Sequence, residues 1–176
     1  MIIKNLSISN HIETSFVKNL YIESFQKNER RCVDKMIKLY DSETPFSIVV
    51  IIKEKQFVGF LTHWDLEDFI FAEHFVISPE FRNGGYGRKV MELFIEKTNK
   101  PILLEVELPA NTLAERRIGF YQRLGFKLWS TIEYQQPAYE ADSYAIPMKL
   151  MSWGKLEVEK NFTKIKEKVY SVVYNV

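Results

Sequence analysis

A glycine-rich stretch with flanking basic residues is the part of the sequence that most directly suggests chemistry. Gly84, Gly85 and Gly87 lie at the start of a segment with helical periodicity. A helix that begins at such a loop has several backbone N–H groups without intrahelical partners, and glycine leaves them open to a ligand. The helix dipole and the side chains of Arg82 and Arg88 add positive charge at the same point. The pattern predicts an anion site, with phosphate or pyrophosphate as its natural occupant.

The spacing of the glycines excludes two common nucleotide-binding loops. No Gly-Lys-Ser/Thr follows, as a Walker loop requires, and no third glycine lies three residues after the second, as the dinucleotide fingerprint requires. Considered alone, the loop is also compatible with ordinary tight turns and a solvated Arg82. The surrounding elements must therefore decide between these interpretations.

Those elements predict a strand, a helix and a second strand around the loop. Before the loop, residues 46–78 contain three β-rich runs separated by the polar stretches KEKQ and DLED, which is typical of an antiparallel meander. After the helix, PILLEVEL supplies another strand, so a parallel crossover is expected. A second helix is predicted from Asn111 to Leu124, ending at Gly125. Pro147 in the last apolar run favours an edge position or a bulge.

The two ends of the chain add further elements. A short strand, MIIKNLS, is followed by one or two helices with a break near residues 27–29. After Gly154 an amphipathic helix is predicted, whose apolar face consists of Val158, Phe162, Ile165, Val169 and Val172. We expect the extension 154–176 to pack on the domain formed by 1–153, and a homodimer contact is the alternative.

Length and composition restrict the class of protein. A chain of 176 residues, 46% hydrophobic and 27% charged, is typical of one globular domain, and its net charge of +1 argues against a nucleic-acid partner. Cys32 is the only cysteine, so neither an intramolecular disulfide nor a cysteine-based metal cluster can form. No apolar run reaches membrane-spanning length and the first twenty residues lack a signal-peptide core, so we expect no membrane partner and a cytoplasmic location.

The glycine-rich loop and, further along the chain, the stretch FYQRLGF resemble two motifs of the GNAT superfamily of acetyl-CoA-dependent N-acyltransferases. The pyrophosphate loop of that family carries Arg or Gln, two residues, Gly, one residue, and Gly or Ala, which this chain matches with Arg82, Gly85 and Gly87. EHFVISPEFRNGGYG resembles the family's fourth strand entering the loop, PILLEVEL its fifth strand, and FYQRLGF the end of the following helix. The resemblance covers residues 46–152. It implies an α+β fold with a mixed, mostly antiparallel sheet of about six or seven strands, helices on both faces and a splayed pair of parallel strands.

The resemblance also implies which residues bind acetyl-CoA. Main-chain groups of Phe75, Val76 and Ile77 would line the pantetheine arm, and the glycine loop would hold the pyrophosphate. The loop residues carried over are Arg82, Asn83, Gly84, Gly85, Tyr86, Gly87 and Arg88. Many family members have an asparagine that contacts the pantetheine where this chain has Ala114, so that contact is not carried over. No metal is implied.

Acetyl transfer from sulfur to an amine needs a neutral amine, a stabilised oxyanion and a proton for the leaving thiolate. The resemblance places Tyr121 as the general acid, and a tyrosine packed in the core is the alternative. Glu73 is the predicted base, directly or through a water. Strand alternation puts it on the face shared by Phe71 and Phe75 and opposite His74. The alternatives for the base are His74, with a pKa suited to the task, and Glu105 and Glu107 on the next strand.

The sequence indicates only the broad class of the acceptor substrate. Substrate-selecting parts of this fold come from the first helices and the late hairpin, here residues 21–31 and 134–144. Their acidic and aromatic side chains favour a cationic amine, and they are Glu23, Glu29, Tyr134, Tyr139, Glu140 and Asp142. We predict acetyl transfer to a primary amine of a small molecule by direct attack in a ternary complex. The alternatives are a protein α-amino or lysine amine, a CoA-binding module without catalysis, and a phosphate-binding fold unrelated to acyl transfer.

Overall fold

An eight-stranded sheet organises the chain in the computed structural model, which describes residues 1–176. The strands are β1 (Ile2–Asn5), β2 (Phe46–Lys53), β3 (Gln56–Asp65), β4 (Ile70–Ile77), β5 (Ile102–Glu107), β6 (Lys127–Leu128), β7 (Tyr134–Gln136) and β8 (Ile146–Trp153). The helices are α1 (His11–Ser24), α2 (Val33–Tyr40), α3 (Tyr86–Thr98), α4 (Thr112–Arg123) and α5 (Phe162–Val169). A 3₁₀ turn at Lys27–Glu29 separates α1 from α2, at the predicted break.

The strand order is β1-β2-β3-β4-β5-β8-β6, with β7 also paired to β8. All pairs are antiparallel except β4 and β5, so the predicted meander and the crossover through α3 are confirmed. The predicted number of strands was too low, because the run FKLWSTIEY is divided by a turn into β6 and the start of β7. Pro147 pairs with Gln135 in β7 but lies beyond the residues of β8 that pair with β5, so one side of β8 is free there.

Two apolar clusters lie on opposite faces of the sheet. The α1 face is covered by α1, α2 and α5, and its core includes Tyr21, Phe60 and Leu103. The α3 face is covered by α3 and α4, and its core includes Phe94 and Leu104. Leu103 and Leu104 are neighbours on β5, so the strand contributes alternate residues to the two cores, as its pleat requires. None of the helices is both long and apolar enough to cross a membrane.

The parallel pair β4–β5 separates partway along its length. Only three residue pairs join the strands, Ile70–Ile102, Phe71–Leu103 and Ala72–Leu104. Beyond them β4 continues to Ile77 along β3, and β5 continues to Glu107 along β8. The gap between the diverging strands is called the split below. It begins at Glu73 on β4 and at Glu105 on β5.

A β-bulge in β4 lies at the start of the split. Thr62 of β3 pairs with His74 and His63 pairs with Ala72, so Glu73 is an extra residue without a partner on β3. Bulges turn side chains away from strict alternation. Here Glu73 contacts Trp64 and His74 contacts Tyr21, both on the α1 face. The expectation that Glu73 and His74 point to opposite faces was therefore wrong.

The C-terminal segment packs on the α1 face of the same chain. Helix α5 is followed by a π-helical turn at Tyr170–Tyr174, and the buried side chains of this segment are Ile165, Val169, Val173 and Tyr174. Val158 is buried as well, but it precedes the helix, and Phe162 and Val172 are only partly buried. The apolar face predicted for this helix is thus partly displaced, because the π turn brings Val173 rather than Val172 inward.

Candidate active site

The glycine loop has the geometry of an anion site. Gly85 has φ of +74° and is the N-cap of α3, and a Cβ built on it would meet nothing within 4 Å, so the space over the loop is open. The first backbone bond of α3 runs from Lys89 N to Gly85 O. The amides of Asn83–Arg88 therefore have no partner within the chain. Such a row of free amides at a helix N-terminus can hold a phosphate or pyrophosphate.

The loop side chains are held in different ways. Arg82 Nε donates to Ile77 O at 2.9 Å, which folds this guanidinium back over the end of β4. Arg88 Nε donates to Glu92 Oε1 at 2.7 Å, so its charge is partly paired along α3. The hydroxyl of Tyr86 accepts from Lys53 Nζ at 2.7 Å. Arg82 thus lies nearest the junction of loop and strand, and Lys53 is a further positive charge beside the loop.

The main chain of β4 presents alternate amides to the split. Ser78 N donates to Val58 O, Val76 lies opposite Phe60 in the same ladder, and His74 N donates to Thr62 Oγ1, so the even-numbered residues face β3. The N–H groups of Phe75 and Ile77 and the C=O of Phe75 therefore point away from β3, into the split, where an extended chain could pair with them, while Ile77 O accepts from Arg82 Nε. Val76 pairs with Phe60 and its side chain lies in the α1-face core. Its predicted place in the cosubstrate site is not supported by this geometry.

Tyr121 lies on α4, buried on the α3 face between the rings of Phe120 and Phe126. Burial raises the pKa of Tyr121 to about 12, so the phenol stays protonated through the neutral range, as a proton donor must. Asn111, three residues before Ala114, is the N-cap of α4: its side chain accepts from the amides of Leu113 and Ala114. Asn111 is therefore used in helix capping and does not replace the missing asparagine.

Glu73 is buried in a fully paired environment on the α1 face. Its carboxylate forms an ion pair with Arg31 and accepts from Trp64 Nε1 at 3.2 Å and from Tyr139 OH at 3.0 Å. Burial alone would raise its pKa, but the charge of Arg31 and a contact with His74 outweigh it and hold the pKa well below the usual range. Glu73 is therefore ionised throughout the neutral range. Because it is already paired with the cation Arg31, it is a weak base.

His74 is buried and satisfied by the fold. One ring nitrogen lies 3.2 Å from Thr62 Oγ1 and the other 3.0 Å from Glu29 O. The ring packs edge-on against Tyr21 and Phe25. These contacts are those of a structural histidine that joins β4 to the segment after α1.

Glu105 differs from Glu73 in having no cation beside it. Its two oxygens accept from Tyr134 OH at 2.5 Å and from Tyr174 OH at 2.8 Å. Burial raises the pKa of Glu105 to about 7, although the two hydroxyls favour the ionised form. A carboxyl group with this pKa, at the start of the split, is suited to accept a proton near neutrality. Glu107, two residues further along, is ion-paired with Arg117 and partly exposed.

A polar network on the α1 face connects the two carboxylates. Tyr139 bonds to Glu73 and lies 3.5 Å, hydroxyl to hydroxyl, from Tyr174, which bonds to Glu105. Arg31 and Tyr174 were not recognised from the sequence. An arginine after a helix and a tyrosine two residues before the last residue of the sequence carry no local signal, because their roles depend on contacts across the fold. No group of three or more His, Cys, Asp or Glu side chains is arranged to hold a metal ion.

Comparisons with known proteins assign the family. Residues 44–128 match the model of the acetyltransferase (GNAT) domain. A solved structure from Bacteroides thetaiotaomicron, assigned to the GNAT family of acetyltransferases, is 37% identical, with a TM-score of 0.95 over 100% of this chain and 99% of that one. The chain therefore belongs to the GNAT family of acetyltransferases.

Two further relatives are more distant. YjbC of Bacillus subtilis (strain 168), assigned as an acetyltransferase, is 32% identical over 114 residues, which are 62% of this chain and 58% of YjbC. The chain thus matches less than two thirds of the length of that relative. A structure of an aminoglycoside 6'-N-acetyltransferase complexed with coenzyme A shares the fold, with a TM-score of 0.61 and 16% identity over 87% of this chain and 96% of that one.

Proposed function

We propose that this protein transfers the acetyl group of acetyl-CoA to a primary amine of a small cationic molecule. The observation that carries the proposal is the split itself. It has free amides of β4 along one side, the anion-binding loop at the end of β4, and a carboxyl group with a pKa near neutrality where β5 diverges. Few other functions would use these three features together.

The residues of the chain fit acetyl-CoA. The open space over Gly85 and the unpaired amides of Asn83–Arg88 suit a pyrophosphate, and the positive charge of Arg82 supports the same ligand. The amides of Phe75 and Ile77 suit the amide groups of a pantetheine arm. When bound, the cosubstrate supplies the activated thioester, and the chain supplies binding, orientation and proton transfer.

Proton transfer can be assigned to residues on the two faces of the sheet. Glu105 on the α1 face would take a proton from the substrate ammonium, which leaves a neutral amine able to form the new C–N bond. Tyr121 on the α3 face would give its proton to sulfur as the C–S bond breaks. We assign the base role to Glu105 in place of Glu73, because Arg31 already neutralises Glu73.

The acceptor class is inferred from the same face. The carboxylate of Glu105, which forms no ion pair within the chain, attracts a cation, and the surrounding tyrosine rings favour cations through their π faces. Tyr139 and the C-terminal turn cover this face, so a compact amine suits it better than a folded protein. Amino acids, polyamines and aminoglycosides are the classes to examine.

Thiol release from acetyl-CoA, followed with each amine class and with a lysine peptide, tests the proposal. We expect release with at least one small amine and little with the peptide. Thermal unfolding with acetyl-CoA, CoA and ATP at matched concentrations is the companion measurement, because a ligand of the native state raises the midpoint. A shift with CoA but no turnover on any amine would indicate a non-catalytic CoA-binding module. A shift with ATP alone would overturn the site.

A further inference from the structure

The C-terminal turn reaches the carboxylate that the proposed function uses as its base. Tyr174, in the π-helical turn after α5, donates its hydroxyl to Glu105 Oε2 at 2.8 Å and is 8% exposed. Its ring lies 5.0 Å from that of Tyr139 and 6.4 Å from that of Tyr170, centroid to centroid. Three rings from two separate segments therefore stand side by side next to Glu105.

The turn is fastened to the domain at several points. Arg31, the partner of Glu73, donates through Nη2 to Val173 O, and Tyr170 OH donates to Gln135 O. The side chains of Val169 and Val173 are buried in the α1-face core. The hydrogen bond from Tyr174 to Glu105 is therefore supported from both sides by the fold. π turns are rare and are frequently found at functional sites.

We propose, on the basis of the proposed function, that Tyr174 orients Glu105 and that the C-terminal turn is the wall that limits the acceptor to a slender primary amine. Tyr174 acts through Glu105 and is a positioning residue. The wall lies on the face of the sheet where both carboxylates face the split. An acceptor that approaches Glu105 along this face would have to pass the tyrosine rings, so the wall would admit a narrow ammonium group and exclude an extended polypeptide.

The charged and titratable groups that face Glu105 come from five parts of the chain. They are Tyr134 of β7, Tyr139 of the following loop, Tyr170 and Tyr174 of the C-terminal turn, Glu73 of β4 and Arg31 of the loop before α2. Only Tyr134 and Tyr174 touch the carboxylate. Removing one hydroxyl should therefore leave the ionised form with half of its direct hydrogen bonds.

Tyr174→Phe keeps the ring and removes the hydroxyl. Because a hydrogen bond from a hydroxyl stabilises the ionised carboxylate, we expect the pKa of Glu105 to rise by about one to two units when this bond is lost. ¹³C NMR of the Glu105 carboxyl, assigned with Glu105→Gln, measures this shift without any need for turnover. The same shift should appear in the acidic limb of the pH profile of kcat/KM. Tyr144→Phe, at an exposed tyrosine, is the matched control and should move neither.

Tyr174→Ala tests the wall. Removing the ring should raise the ratio of kcat/KM for a lysine peptide over a small diamine by about tenfold or more, since a size-limited pocket discriminates by such factors. An unchanged pKa in Tyr174→Phe would overturn the positioning role, and an unchanged ratio in Tyr174→Ala would overturn the wall. If the wild-type protein released no thiol with any amine, the proposed function and the wall would both fail, while the NMR titration would still decide whether Tyr174 holds Glu105.

Discussion

At the scale of single residues, pairing decides which of two similar carboxylates can accept a proton. Glu73 and Glu105 are the first residues of the split on adjacent strands, and both face the α1 side. Glu73 has the guanidinium of Arg31 as its partner, whereas Glu105 has only hydroxyls. At Glu73 the charge of Arg31 and the contact with His74 together outweigh the effect of burial, whereas at Glu105 burial prevails. Adjacent positions thus acquire opposite acid–base behaviour.

Glu105→Gln should lower kcat/KM for the amine by about 10²–10⁴-fold, the usual contribution of a general base. The side chain keeps its size, so affinity for acetyl-CoA should be unchanged. Glu107→Gln is the control, because this carboxylate lies on the same strand but is paired with Arg117. Steady-state kinetics of thiol release give the answer, and full activity of Glu105→Gln would remove it from the mechanism.

Glu73→Gln provides the contrast. This change leaves Arg31 buried without its counter-charge, which costs roughly 3–5 kcal/mol of stability. Urea denaturation should therefore show a large loss in the free energy of unfolding for Glu73→Gln. Glu105→Gln should show no loss at pH 8, because burial makes the ionised form of the wild-type Glu105 unfavourable at that pH. Equal stability of the two variants would contradict the division of roles.

Tyr121→Phe should lower kcat by about 10²-fold or more while leaving the binding of acetyl-CoA nearly unchanged, if its phenol donates the proton to sulfur. With a pKa of about 12, Tyr121 is protonated at all working pH values and should produce no alkaline limb below pH 9. Tyr40→Phe is the control, because it removes a phenol that is bonded to Leu6 O near β1. Rapid-mixing kinetics can separate acetyl-CoA binding from the chemical step. Equal rates of acetyl transfer in Tyr121→Phe and the wild-type protein would mean that Tyr121 only packs in the core.

At the scale of elements, local signals were sufficient for the loop and insufficient for the split. The glycines, the following helical periodicity and the N-cap of α4 act within a few residues of sequence, so they could be predicted. The bulge at Glu73 depends on the register of β4 with β3, and no residue type within β4 predicts it. The same limit applies to Arg31 and Tyr174, which meet the carboxylates only after the helices pack on the sheet.

Gly85→Glu should abolish acetyl-CoA binding. A side chain and a negative charge would enter the space where the loop amides point, and Gly85 has a positive φ that residues with a side chain rarely adopt. Asn99→Glu is the matched control: it places the same charge on another left-handed residue, at the opposite end of α3 and about 20 Å away. Calorimetric titration with acetyl-CoA compares the two. If Gly85→Glu bound acetyl-CoA with unchanged affinity, the assignment of the loop as the cosubstrate site would be wrong.

At the scale of the whole molecule, the two faces of the sheet contain buried groups whose titrations oppose each other. His63 lies beside Phe94 on the α3 face with Nδ1 unpaired, and burial lowers its pKa from 6.5 to about 4. As the pH falls from 7 to 5.5, His63 becomes protonated in the unfolded chain but stays neutral in the folded chain. The free energy of unfolding therefore decreases. Over the same interval the folded chain gains a proton at Glu105, whose pKa rises from 4.5 to about 7, so stability rises. The two contributions should nearly cancel.

Single variants should expose each contribution. Glu105→Gln leaves His63 uncompensated, so its free energy of unfolding should decrease by on the order of 1 kcal/mol between pH 7 and pH 5.5. His63→Leu leaves Glu105 uncompensated, and its free energy of unfolding should increase by a similar amount. The double variant should regain the shallow profile of the wild-type protein. Urea denaturation at four pH values within this interval measures all four proteins, and groups common to them drop out of the differences. Profiles that remain parallel would mean that neither group is held away from its ordinary pKa by the fold.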